Sequence, residues 1–337
     1  MFPFSVVPGT DVGRVLAEHR PDVVKVVRDA YLTHHRGDSV NPRSYFLRFP
    51  DNPSARIIAL PASLGGDFGA VGIKWIGSFP GNIDHNIPRA SAVLILNDPM
   101  TGFPFACLEA SGISAARTAG SAVLAAEALL GARKATRVAF VGAGVIARTV
   151  LDYLGATGWQ VGDVAVADLD PRYGQQLAAH AAGVLGSPAG CAGSPRDAVT
   201  GADLIVLATT AGEPHLTDPG LFTPGQVVLN LSLRDLSPQI LLAAHNVLDD
   251  VDHCLTAATS PHLAEQLSGA RDFIDGTLAG FLLGEFALGR DRPVIFSPFG
   301  LGVLDLAVGS FVVDQLTAAG RLTSVEGFFA ETERWTA

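Results

Sequence analysis

Beyond residue 137 the apolar positions fall into a regular alternation of short continuous runs and stretches with helical spacing. Runs at 138–141, 164–168, 204–208, 227–230 and 246–250 predict strands, with helices between them at about 145–154, 172–182 and 195–200. Alternating strand and helix predicts an α/β fold with a doubly wound parallel sheet. The first third of the chain is patterned differently. Val15, Leu16, Val23, Val26, Val27, Ala30 and Tyr31 recur at helical spacing over 11–33, and Pro21 marks a break or a second helix start. Short β-type runs follow at 44–49, 56–60, 70–76, 92–97 and 103–109. Turn chemistry separates them at Asp51-Asn-Pro53, Leu64-Gly-Gly-Asp67 and Asp98-Pro-Met-Thr-Gly102. This spacing predicts an antiparallel meander or a small barrel-like sheet. The Ala- and Leu-rich stretch 111–130 predicts one or two helices, and 294–296 a last strand. The final helix, 301–319, is more apolar than one sheet face requires. It belongs on the first domain or at an oligomer interface.

Composition narrows the class. A chain of 337 residues with 48% hydrophobic and 17% charged residues has core enough for two domains. We place them at 1–125, with 303–325 returning to it, and at 126–302. The net charge of −10, without a basic cluster, argues against nucleic acid and acidic membrane surfaces as partners. Cys107, Cys191 and Cys254 are scattered and fit neither a metal spacing nor a disulfide framework, so a reducing cytoplasm is the expected setting. The start of the chain lacks the pattern of a signal peptide, and there is no uninterrupted apolar run of membrane-spanning length.

One stretch carries a cofactor signal. The run ending at Val141 meets Gly142-Ala-Gly144-Val145-Ile146-Ala147, a G-x-G-x-x-A turn between strand and helix. Gly142 allows the tight turn, Gly144 lets backbone approach a pyrophosphate, and Ala147 lets the helix pack closely. Phosphates would sit on the helix N-terminus, over Val145 and Ile146. Asp168 ends the next strand, where an acid can accept both ribose hydroxyls and repel a 2′-phosphate. The expected cofactor is NAD.

Other residues stand out by their surroundings. Lys74 lies inside an apolar strand, sharing a face with Ile76 while Ile73 and Trp75 share the other. It either alternates outward to solvent or faces a cleft, where it could bind a carboxylate or exchange a proton. Arg117 is the only charge in the small-residue run Ser114-Ala-Ala-Arg-Thr-Ala-Gly-Ser121, where a carboxylate could approach it. Arg43 is a weaker candidate of the same kind. Asp235 follows a parallel strand, at the carboxyl edge where such sheets bind ligands, or else caps a turn. Thr209, Thr210 and Ser232 end strands at that edge, beside any nicotinamide. His85 lies in the polar loop Gly81-Asn-Ile-Asp-His-Asn86.

Several segments in order resemble the ornithine cyclodeaminase/μ-crystallin family. They are Lys74 in its strand, Thr101-Gly-Phe-Pro104, Ser114-Ala-Ala-Arg-Thr-Ala119, Val141-Gly-Ala-Gly144, Gly201-Ala-Asp-Leu-Ile205 and Phe296-Ser-Pro-Phe-Gly-Leu-Gly-Val-Leu-Asp305. The resemblance implies a homodimer with an α+β substrate-binding and dimerisation domain and a Rossmann domain. It also implies a carboxylate clamp at Arg43, Lys74 and Arg117, and a catalytic acid at Asp235. Ornithine cyclodeaminases carry a Glu on the strand before the lysine, whereas this chain has Ile58 near that position. One branch fits better. Gly72-Ile-Lys-Trp-Ile-Gly-Ser-Phe-Pro-Gly-Asn82, Pro88-Arg-Ala-Ser91, Phe105-Ala-Cys-Leu-Glu-Ala-Ser111 and Leu231-Ser-Leu-Arg-Asp235 resemble the N-(2-amino-2-carboxyethyl)-L-glutamate dehydrogenases. These supply 2,3-diaminopropionate for siderophores and peptide antibiotics, alongside a partner synthase that uses O-phosphoserine and glutamate. The branch implies an amino-acid conjugate with three carboxylates, for which Arg89, Arg234 and His85 are further contacts. Other readings are a different amino-acid or imine reaction of the family, or a nicotinamide- or hormone-binding protein without turnover.

Overall fold

The computed structural model describes residues 2–334 and divides into two units. The first comprises Met1–Arg117 with Leu301–Ala337, the second Thr118–Gly300, so one boundary falls inside a helix.

The first unit begins with β1 (Ser5–Val7), α1 (Gly9–Glu18) and α2 (Arg20–His35). Pro21 sits in the first turn of α2, where its missing N–H costs nothing, so the 11–33 stretch is two helices. Next come β2 (Ser39–Val40), β3 (Tyr45–Phe49), β4 (Asn52–Leu64), β5 (Ala70–Ser78), a 3-10 turn over Pro80–His85, β6 (Ala90–Asn97) and β7 (Pro104–Glu109). Strands β4 to β7 form the expected meander, but the sheet is open rather than barrel-like. Its order is β1-β7-β6-β5-β4-β2, with β3 also on β4 and β1 parallel to β7. Strand β4 starts earlier than its apolar run, because Phe49 pairs with Asn52 across a tight turn and Pro53 is tolerated near the strand start. Helix α3 (Ser111–Leu130) is continuous. By length and composition alone it could cross a membrane, yet 61% of its most apolar window is buried inside the protein.

The second unit runs β8 (Lys134–Val141), α4 (Val145–Ala156), β9 (Gln160–Ala167), α5 (Pro171–Leu185), β10 (Ala189–Cys191), α6 (Pro195–Val199), β11 (Leu204–Leu207), β12 (Val227–Asn230) and α7 (Pro238–Leu242). It continues with β13 (His245–Leu248), α8 (Val251–Cys254), α9 (Ser260–Ser268), β14 (Ile274–Thr277), α10 (Leu278–Leu282) and β15 (Val294–Ser297). All eight strands are parallel, in the order β10-β9-β8-β11-β12-β15-β13-β14. The two edge strands, β10 and β14, escape the hydrophobic pattern. Ala189-Gly-Cys191 and Ile274-Asp-Gly-Thr277 contain little apolar bulk, because an edge strand buries less of itself. The inner strands β11, β12 and β15 are buried at every position, as helices on both faces require.

Helix α11 (Gly302–Ala318) belongs to the first unit, packing on α1, α2, β4, β5 and β6. That contact surrounds it and explains its excess of apolar residues. Gly309 permits the approach to β6: a Cβ there would lie 2.1 Å from Leu94 Cδ2.

Candidate active site

In the first unit, strand alternation turns Gly72, Lys74 and Ser78 inward and leaves Trp75 43% exposed on the opposite face. Lys74 is only 2% exposed, so it does not alternate out to solvent. Its ammonium donates to Asp305 Oδ2 at 2.6 Å and to Ser114 Oγ at 3.2 Å. Arg117 approaches the same pair, with Nε 3.3 Å from Asp305 Oδ1 and a terminal nitrogen 3.4 Å from Ser114 Oγ. Asp305 is fully buried on the first turn of α11. Burial, opposed by Asp305 and aided by Arg117, brings the Lys74 ammonium down to about 8. The cluster therefore holds two cationic groups against one carboxylate.

The other first-unit candidates have separate surroundings. Arg89 is half-buried and donates to Ser78 Oγ at 3.1 Å, and burial lowers its guanidinium pKa. Arg43 and His85 are exposed. Neither makes an ion pair or side-chain hydrogen bond among the described residues.

In the second unit, Gly142 adopts φ +91°, and a Cβ there would lie 2.5 Å from Ala208 O. The turn therefore needs glycine for its conformation and for its approach to the end of β11. Gly144 caps α4, and a Cβ there would meet nothing within 4 Å, so space lies open over the helix N-terminus. Ala147 is fully buried against the sheet. Asp168 accepts from the Ala143 N–H at 2.7 Å and the Asp170 N–H at 2.9 Å. An ionised carboxylate offers about four acceptor positions, so it retains capacity for ligand hydroxyls. The turn, the open helix end and the acid fit a dinucleotide's pyrophosphate and ribose.

At the carboxyl edge of the same sheet, Thr209 joins Ser232 to Asp235. Its N–H donates to Ser232 Oγ at 2.7 Å, and its hydroxyl donates to Asp235 Oδ1. Asp235 is fully buried, and its Oδ2 has no hydrogen-bond partner among the described residues. His215 Nε2 stands 3.5 Å from Oδ1. Arg234 turns elsewhere, donating to the carbonyls of Gly212 at 3.2 Å and Ala257 at 3.0 Å.

Two groups escaped the sequence reading. Asp305 was visible as a lone carboxylate early in an apolar helix, a signal that something buried must pair with it. His215, in Glu213-Pro-His215, offered no signal of that kind.

A doubly wound parallel sheet with a glycine turn, carrying an antiparallel unit with a buried Lys–Asp–Arg cluster, defines a Rossmann-type α/β protein. The profile of the ornithine cyclodeaminase/mu-crystallin family matches residues 11–320, and the chain belongs to that family. It is 28% identical over 330 residues to the N-((2S)-2-amino-2-carboxyethyl)-L-glutamate dehydrogenase of Staphylococcus aureus, covering 91% of this chain and 93% of the relative. It is 26% identical over 312 residues to the alanine dehydrogenase of Archaeoglobus fulgidus, covering 87% and 90%. The Thermococcus litoralis Delta(1)-pyrroline-2-carboxylate reductase, solved with NADH and L-proline, shares the fold. Its TM-score is 0.88 at 22% identity, over 96% of this chain and 100% of that one.

Proposed function

We propose that this chain is an NAD-dependent dehydrogenase that cleaves N-(2-amino-2-carboxyethyl)-L-glutamate to 2-oxoglutarate and L-2,3-diaminopropionate. The observation that carries the reading is an asymmetry of charge. Lys74 and Arg117 gather at the carboxylate of Asp305, a cationic pair suited to a substrate carboxylate. Asp235, in contrast, keeps an oxygen without a partner, as an acid/base centre requires. Similarity to the Staphylococcus aureus dehydrogenase over most of both chains supports the choice of substrate. Ile58, opposite Ile76 in the β4–β5 ladder, counts against ornithine cyclodeamination, because a second amine there would meet no carboxylate.

Gly142, Gly144, Val145 and Ile146 would hold the pyrophosphate of NAD, Asp168 its ribose hydroxyls, and Thr209 and Ser232 its nicotinamide end. When bound, NAD supplies the acceptor for the hydride that leaves the glutamate Cα. Lys74, Arg117 and Arg43 hold carboxylates and fix which face of that carbon is presented. Arg89, Arg234 and His85 would make outer contacts with the same substrate. The centre at Asp235 frees the secondary amine of its proton, deprotonates the water that adds to the imine, and reprotonates the departing nitrogen. The apolar outer face of the first-unit sheet, with Val6 46%, Trp75 43% and Val93 39% exposed, supports a homodimer. A functional partner on this reading is the synthase that makes the conjugate from O-phosphoserine and glutamate.

The test is to supply NAD and the conjugate and to follow NADH and 2-oxoglutarate together. Equal yields are expected. Proline formed from ornithine with no net NADH, or NADH without 2-oxoglutarate, overturns the reading. Asp235→Asn is expected to lower turnover by about 10²–10⁴-fold while NADH still binds.

A further inference from the structure

Asp235 is fully buried, yet the proposed reaction releases one proton for every NADH formed. A group that reaches solvent must therefore complete the acid/base centre. His215 is the candidate, for its side chain is 37% exposed while its Nε2 faces Asp235 Oδ1 at 3.5 Å. The backbone holds the two together: the N–H groups of His215 and Leu216 both donate to the Asp235 carbonyl, at 3.1 and 3.0 Å. Leu216 also bridges Leu236 in parallel. The spacing of the two side chains is thus set by paired segments at the carboxyl edge of the sheet.

The geometry points to His215 as a catalytic residue, with Asp235 as the residue that positions it. This rests on the proposed oxidative cleavage of an amine. An ionised Asp235 can only accept, so Nε2 carries the hydrogen and Nδ1 presents a lone pair on the other side of the ring. Apo geometry of this kind is often long and tightens with substrate in place.

The protons then balance. Nδ1 takes one from the secondary ammonium and gives it to solvent. The Cα–H bond breaks with its electron pair leaving as hydride, and the nitrogen lone pair forms the iminium. Water bonds to that carbon and loses a proton to Nδ1. Nδ1–H returns it to nitrogen, the C–N bond breaks with its pair going to nitrogen, and as the ketone forms the carbinol proton passes through Nδ1 to the departing amine, which leaves as an ammonium, so that one proton is released in all. The charged side chains on the two segments that meet here are Glu213, Arg234 and Asp235, and Arg234 is tied to backbone carbonyls.

His215→Gln, assayed with NAD and the conjugate, is expected to lower kcat by about 10²–10³-fold without weakening NADH binding. It should also remove the acidic limb of the kcat/KM profile, and added imidazole should restore part of the rate. A variant within a few-fold of the parent, with its acidic limb intact, overturns the assignment and leaves Asp235 itself as the base. Nitrogen NMR of His215 reads the pair without any substrate. The expected result is hydrogen on Nε2 in the parent and a redistribution toward Nδ1 in Asp235→Asn. Hydrogen on Nδ1 in the parent, or a tautomer unmoved by that substitution, overturns the proposal whatever the substrate proves to be. If the parent protein forms no NADH from the conjugate while the NMR result holds, the substrate reading has failed and the His–Asp pair stands.

Discussion

Asp305 in the first unit and Asp235 in the second are both fully buried carboxylates, and the two are treated in opposite ways. Asp305 in the first unit has a cation at each oxygen, Lys74 at 2.6 Å and Arg117 at 3.3 Å. Asp235 in the second has a hydroxyl and a histidine at one oxygen and, among the described residues, no hydrogen-bond partner at the other. Leaving a buried acceptor unpaired costs about 1–3 kcal/mol, and more for a charged group. The difference teaches how the molecule divides its labour. The saturated carboxylate fixes geometry, holding two cations on different elements in one arrangement. On the proposed function the unsaturated one gives up stability for reactivity, as sites of chemistry commonly do.

The largest effect should come from the saturated side. Asp305→Ala removes the carboxylate at which Lys74 and Arg117 meet, and should destabilise the protein by about 3–5 kcal/mol in a denaturant titration. Asp235→Asn keeps the Thr209 hydrogen bond and removes an unsatisfied charge, so it should cost under about 1 kcal/mol. Equal losses in the two variants would erase the contrast.

The second effect is a pH dependence. Lys74 titrates at about 8 in the folded protein against 10.5 for the free side chain, so between those values the unfolded chain binds the extra proton. Below about 8 both states are charged and the folded state bears the full cost of burying that charge; above 10.5 neither is charged. Stability should therefore rise with pH across that window, by up to about 3 kcal/mol, and the rise should be absent in Lys74→Met. A contribution from this group that falls with pH would show that the Asp305 pairing outweighs burial.

The smallest effect tests Asp235 from its other neighbour. Thr209→Val removes the hydroxyl donor and should lower stability by about 1 kcal/mol. It should also shift the pH profile of turnover more than its amplitude. A variant that unfolds at room temperature would mean that Asp235 is as structural as Asp305.

Much of the architecture was legible because it repeats. The buried runs of β8, β11 and β12 and the turn at Gly142 are local patterns, read directly from spacing and from the need for glycine at positive φ. The edge strands β10 and β14 were not, since strands that bury little need little hydrophobic signature. Lys74 itself was legible as an anomaly, a charge inside an apolar strand, but its direction was not. Strand alternation gives two faces and does not say which one another element will cover.

The chain on its own thus determined the parallel sheet, the cofactor turn and the identity of most polar candidates, because periodicity and backbone constraint act over a few residues. Only the tertiary structure decided that Lys74 meets Asp305, 231 residues away in sequence, and that His215 meets Asp235. The reason is physical: a buried charge takes whichever partner the packing of remote elements brings within a few ångströms, and no local rule encodes that choice.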